Sequence, residues 1–169
     1  MIKDIPRIRL ADVKDDAVQG LLQTSKPLHR MFHMDIDNAE WKPHGIASTL
    51  KLDMIISPTM QGWGRIAHGG GIDFVLHDIA GLASLLFARS ENPKQVVLGS
   101  EMKASYHRPL PIGSKVEIFA AIEQVSGNRI TTSSIIRPIG SVDMDGNHYS
   151  RALLKTLMVS EIRTPREVV

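Results

Sequence analysis

Residues 64–89, GRIAHGGGIDFVLHDIAGLASLLFAR, constrain the fold more than any other stretch of the chain. From Gly71 to about Ala88 the residues Ile72, Val75, Leu76, Ile79, Ala83, Leu86 and Phe87 recur at helical spacing, and the opposite side still carries Phe74, Ala80, Gly81 and Leu85. A helix that is apolar almost all round has to be enclosed by the rest of its domain. Yet Asp73, His77 and Asp78 stand within this run, and His68 with three glycines precedes it. A buried ionised carboxylate is costly unless paired, so an acid kept here is a candidate for a perturbed pKa and a function.

The enclosing material is legible on either side. Leu50, Leu52, Met54 and Ile56 alternate with Thr49, Lys51, Asp53 and Ile55 in the two-residue period of a half-buried strand. After the helix, alternation returns at Val96–Tyr106, Val116–Ile122, Ile130–Ile136 and Leu153–Val159, with turn signals at Ser126–Asn128 and, for a tight hairpin, at Asp145-Gly146. No strand–helix–strand repeat is visible, which disfavours a parallel nucleotide-binding sheet. The economical packing is α+β: a curved antiparallel sheet, its last strands a meander, rolled around one long central helix. Residues 1–40 read differently, as a mostly polar helical N-terminal extension with Val18, Leu21 and Leu22 at helical spacing and Pro27 interrupting, so the domain proper is expected to be 41–169.

Composition narrows the function classes. The 169 residues with 43% hydrophobic content suffice for one domain with a real core. The formal charge is only +2 and the basic residues are dispersed, which suggests neither a nucleic-acid nor a membrane-surface role. There are no cysteines, excluding disulfides, thiolate metal sites and a cysteine nucleophile. The opening MIKDIPRIRLADVKDD is too charged for a signal peptide and no uninterrupted apolar run approaches the roughly 20 residues of a bilayer span, so a cytoplasmic protein is expected.

GWGRIAHGGGIDFVLHDIAG resembles the glycine loop and helix start of hotdog-fold acyl-CoA thioesterases, particularly the phenylacetate-pathway (PaaI-like) and 4-hydroxybenzoyl-CoA thioesterase groups. SEMKASYHRPLPIGSKVEIFAAIEQVSGNRI is similar to that superfamily's next strand, its Tyr106/Pro109/Gly113 corner and the following hairpin, so the resemblance spans roughly Leu50 to Val159. It implies that the backbone N–H of Gly69 polarises a thioester carbonyl, with His68 fixing the loop or contacting substrate and Gly70 beside them. Physical chemistry points to the same place: glycines at a helix start admit a ligand close to the backbone, and the free N–H groups and positive dipole end favour developing negative charge. The family's catalytic carboxylate lies nine residues after the histidine, where this chain has His77, with Asp78 one place later and Asp73 four earlier. Either Gly71 shifts the helix start so that Asp78 reaches the site, or His77 serves as base with Asp73 possible as its orienting group, or hydrolysis has been lost; a one-residue step rotates a side chain by about 100°, so these alternatives are structurally distinct. Asp73 has a further reading, electrostatic support of the helix N-terminus.

The resemblance maps a small polar residue that holds the attacking water onto Gly99, with Ser100 beside it, and an amide group onto the neighbourhood of Gln61. Trp63, inside the glycine loop, is a candidate for lining the acyl pocket, and Arg108 for meeting coenzyme A phosphates. His29 and His33, with Asp35 and Asp37 nearby, lack a third ligand at diagnostic spacing, and no metal site is expected. The expected activity is hydrolysis of a small or medium acyl- or aryl-CoA, with coenzyme A thioester as substrate and no cofactor. The competing reading is a non-catalytic acyl-CoA or small-ligand binding protein on the same fold; a hotdog hydratase or dehydratase ranks behind both, since no D-x-N-P-x-H run is present. Because such sheets leave open edges and half-built pockets, a homodimer or a homotetramer of two dimers is expected.

Overall fold

The computed structural model describes residues 5–141 and 147–160. In chain order these form strand β1 (Ile8–Arg9), helix α1 (Asp16–Met31), strands β2 (Glu40–Lys42) and β3 (Thr49–Ile55), helix α2 (Gly69–Glu91), and strands β4 (Gln95–Tyr106), β5 (Lys115–Ser126), β6 (Arg129–Pro138) and β7 (Ser150–Ser160). One seven-stranded antiparallel sheet in the order β1-β2-β3-β5-β6-β7-β4 wraps α2.

The expected strands are where their alternation placed them, and their inward rows build the core. Leu50, Leu52 and Met54 of β3, Val116, Ile118 and Ala120 of β5, and Ile130 and Ile136 of β6 are buried against Val75, Leu76, Ile79 and Ala83 of α2. The meander holds for β5–β6–β7, but β4 is not its first member. It crosses over α2 and pairs instead with β7, Gly99 facing Thr156, which leaves β4 as an edge strand exposed over most of its length. The hairpin expected at Asp145-Gly146 lies outside the described residues.

Length and composition alone would let α2 pass for a membrane span, but most of its apolar window is buried inside the sheet. The N-terminal helix departs from expectation, since α1 runs through Pro27 instead of stopping there. Proline removes one hydrogen bond of the last turns, and burial of Val18, Leu22 and His29 together with ties at both ends offsets that loss. At its start Asp15 caps α1 by accepting from Val18 N at 3.0 Å and pairs with Arg89 of α2 at 2.6 Å. At its end Thr59 Oγ1 donates to Met31 O at 2.5 Å, and Phe32 packs on Phe74 with ring centroids 4.8 Å apart. The extension is tied to the sheet: β1 pairs with β2, and Leu10 N donates to Ala39 O.

Candidate active site

The loop before α2 folds tightly because its glycines allow it. Gly64 has φ +63°, and a Cβ on Gly62 would stand 3.1 Å from the His68 backbone. His68 is the N-cap of α2: its Nδ1 accepts from Gly70 N at 3.0 Å, and its carbonyl accepts from Gly71 N and Ile72 N. His68 N itself donates to Met60 O at 2.7 Å. Among the described residues this leaves the Gly69 N–H as the amide of the helix start that has no hydrogen-bond partner. Gly69 opens into a cavity of about 380 Å³ whose other walls include Ile66, Ile72, Tyr106, Arg108 and Leu110.

Tyr106, which the strand pattern and corner motif register only as structure, contributes chemistry here. Its hydroxyl donates to Asp73 Oδ1 at 2.5 Å and lies about 3.4 Å from where a Gly69 Cβ would be. Burial, and then the bond to Asp73, push the phenol up to about 12, so it remains a protonated donor at any physiological pH. Asp73 is thereby committed to Tyr106 and does not orient His77. Arg108 stacks over Tyr149 at 4.7 Å and lines the same cavity, while Gln61 Nε2 braces the loop through Gly64 O at 2.8 Å. Trp63 is not among the walls of this cavity: it projects outward, 97% exposed, whereas Trp41 is in the core.

His77 and Asp78 share a second cavity, of about 320 Å³, bounded by α1, α2, β4 and β7. One residue apart, they diverge as helix geometry requires. Asp78 turns towards α1, where the fully buried His29 donates from Nε2 to Asp78 Oδ2 at 2.8 Å. His29 is therefore turned inward, while His33 sits past the helix end with φ +56°. His77 is exposed and faces β4, its Nε2 3.5 Å from the position of a Gly99 Cβ, at the β-bulge between Gly99 and Glu101. Ser100 is turned away, donating to Lys155 O at 3.0 Å. The hydroxyl in this cavity comes from Thr156, directly across the sheet from Gly99, buried and without a partner among the described residues. Sequence reasoning missed Thr156 and weighed His29 only as a metal ligand, since neither stands in a motif at this site and only the β4–β7 register and the docking of α1 bring them here.

A curved antiparallel sheet around one long helix, with a glycine loop presenting a free amide at the helix start, defines a hotdog-fold protein. Residues 65–139 match the family model described as the thioesterase superfamily, and so carry that superfamily's sequence pattern. Among similar solved structures, a thioesterase from Haemophilus influenzae superposes with a TM-score of 0.65 at 16% identity, over 86% of this chain and 92% of its own. A Gln-to-Ala mutant thioesterase from Pseudomonas aeruginosa gives 0.63 at 15%, over 84% and 93%. A Streptococcus mutans protein solved bound to acetyl CoA gives 0.57 at 11%, over 75% and 92%. No curated protein matches the sequence.

Proposed function

We propose that this protein hydrolyses acyl-CoA thioesters. The observation that carries the reading is the unpartnered Gly69 N–H at the capped start of α2, opening into a cavity. A thioester carbonyl that takes the place of the missing partner becomes polarised, and the oxyanion formed by water attack is held by that amide and by the positive end of the helix. His77 is the base in this reading: it stands at the register position, exposed and lining its cavity, whereas Asp78 is already engaged by His29. His77 takes a proton from the attacking water, the C–S bond breaks as the tetrahedral oxyanion collapses, and the protonated His77 returns that proton to the departing thiolate, so that the products are a carboxylic acid and the free thiol of coenzyme A.

Eight helical residues separate Gly69 from His77, about 12 Å along the axis, too far for both to serve one carbonyl. The reading therefore requires two copies, each offering its Gly69 amide towards the other's His77 cavity. The exposed edge strand β4 and the projecting Trp63 are consistent with such a pairing. The superfamily match and the acetyl CoA bound to the Streptococcus mutans neighbour support the substrate class.

Thiol release across a panel of acyl-CoAs tests the activity, with turnover expected and at least 100-fold loss in His77→Ala, a typical contribution of a general base. No release from any member would refute it. One observation favours a second reading, binding without hydrolysis: the acid beside the register position is paired off by His29. Calorimetry in which a CoA ester binds and is recovered intact would establish that alternative.

A further inference from the structure

The cavity that holds His77 is not uniform along the helix. Its polar groups gather at one end, where His77 and Asp78 of α2 face Gly99 of β4 and the unpartnered Thr156 hydroxyl of β7. From there towards the C-terminal end of α2 the walls become wholly aliphatic: Leu82 and Leu85 on the helix, Val96 and Val97 on β4. Among the described residues no Phe, Tyr or Trp lines it. The far side is closed by neither sheet nor central helix, but by Ala17 and Leu21, one turn apart on α1. Gly81 lies between the polar and aliphatic ends; a Cβ there would meet only Leu154 Cδ2, at 3.9 Å, so the helix is hollowed at that point without being forced to be.

We propose that α1 is the specificity wall of the site, Ala17 and Leu21 closing a channel that takes the straight aliphatic acyl tail of the substrate. A compartment polar at one end and dry beyond fits an ester or acid head with an alkyl tail, and the buried Thr156 hydroxyl awaits a polar atom at the head. At about 30 Å³ per small group, the volume of about 320 Å³ admits about ten groups, head and tail together. The wall is fixed in place by Asp15–Arg89 at one end of α1 and His29–Asp78 at the other. Residues 65–139, which match the superfamily model, contain none of α1, so the wall comes from a segment outside that match.

The proposal rests on the acyl-ester reading above, and its test separates the two. With the full chain, kcat/KM is measured for saturated acyl-CoAs of increasing length, and binding of the matching free fatty acids is followed by calorimetry. One methylene in an apolar pocket is worth roughly 10–200-fold in kcat/KM. Ala17→Leu is expected to move the length limit about two carbons shorter, lowering activity on the longest accepted ester at least tenfold while sparing the short ones. Leu21→Ala is expected to extend the limit. Gly81→Ala is a third probe, expected to shorten the limit while raising Tm by about 1–4 °C, since alanine is the better helix residue, so lost long-chain activity there cannot come from unfolding. Length profiles superimposable on the wild type in all three variants would overturn the proposal. If no ester turns over but fatty acids bind with a length limit that Ala17→Leu moves, hydrolysis fails and the wall stands.

Discussion

The two cavities along α2 are assembled in opposite ways. The one at the helix start is mostly local: Met60, Gly62, His68, Gly69 and Gly70 position one another within eleven residues, with Tyr106 and Leu110 closing it. The mid-helix cavity draws on four elements from Ala17 to Thr156, and its polar groups are satisfied across 49 residues, as in His29–Asp78, or not at all. Hydrogen bonds made within one loop survive as long as the loop does, whereas the second cavity exists only while α1 is docked. Damage to the first should therefore cost chemistry without stability, and damage to the second should cost both.

The largest effect is expected from Gly69→Pro. Residue 69 is the first of the helix, where proline is favoured, and His68 at φ −70° and ψ 139° already has the backbone that a following proline imposes. The substitution deletes an N–H that bonds to nothing in the protein and places the ring where the carbonyl would bind. Loss of one oxyanion donor is worth about 3–4 kcal/mol, roughly 100- to 1000-fold in kcat. Thiol release should fall by that amount with the urea midpoint unchanged, and a stability loss in parallel would erase the contrast between the cavities.

At the other cavity, His29→Ala removes a ring that is 2% exposed and strands the part-buried carboxylate of Asp78. A cost of about 2–4 kcal/mol in urea unfolding is expected, accompanied by loss of activity as α1 loosens. His29→Gln, which retains a donor, should recover part of it. An unchanged urea midpoint in His29→Ala would show that α1 is held without this pair.

How much of this is legible in the sequence follows the same division. The helix, the strands and the capped glycine loop are written in neighbours: a 3.6-residue period, a two-residue period, and glycines ahead of an apolar run. Position 78 shows the limit. That an acid on a buried helix needs a partner follows from its desolvation cost, but the partner lies in the segment whose pattern is weakest, beyond a proline expected to end α1. Ser100 and Thr156 make the same point in the sheet. Motif spacing brings forward the serine, but the pleat and the bulge at Gly99 turn it away, and the register with β7 supplies the hydroxyl from Thr156, far along the chain. Trp63 sits in the right loop and still points outward, because position along the chain does not set the direction of a side chain.

A smaller effect tests the N-terminal anchor of α1. The Asp15 carboxyl is held below the usual carboxylate range: burial works against its ionisation, but the Arg89 guanidinium and the amide of Val18 prevail. A depressed folded-state pKa contributes stability that is present above the unfolded value, near 3.9, and is lost as pH falls through the folded one. Asp15→Ala should cost about 1–2 kcal/mol at pH 7, from the cap and the pair together, and less than that at pH 3. Equal losses at both pH values would mean that the charge of Asp15 adds nothing to the docking.

The smallest effect belongs to Tyr106, at the local cavity. Its folded pKa, about 12, exceeds the ordinary phenol value of 10.0, so the folded chain keeps a proton that the unfolded chain gives up. The stability this brings is complete below pH 10 and drains away as pH rises towards 12. Because Tyr106 is 52% exposed, solvent screening reduces the gain to under about 1 kcal/mol. Tyr106→Phe should accordingly lose little at pH 8, and its urea midpoint should fall less steeply between pH 9 and pH 11.5 than that of the wild type. Parallel curves would show that the bond to Asp73 opens readily to water, and the helix-start cavity would then be held by its backbone alone.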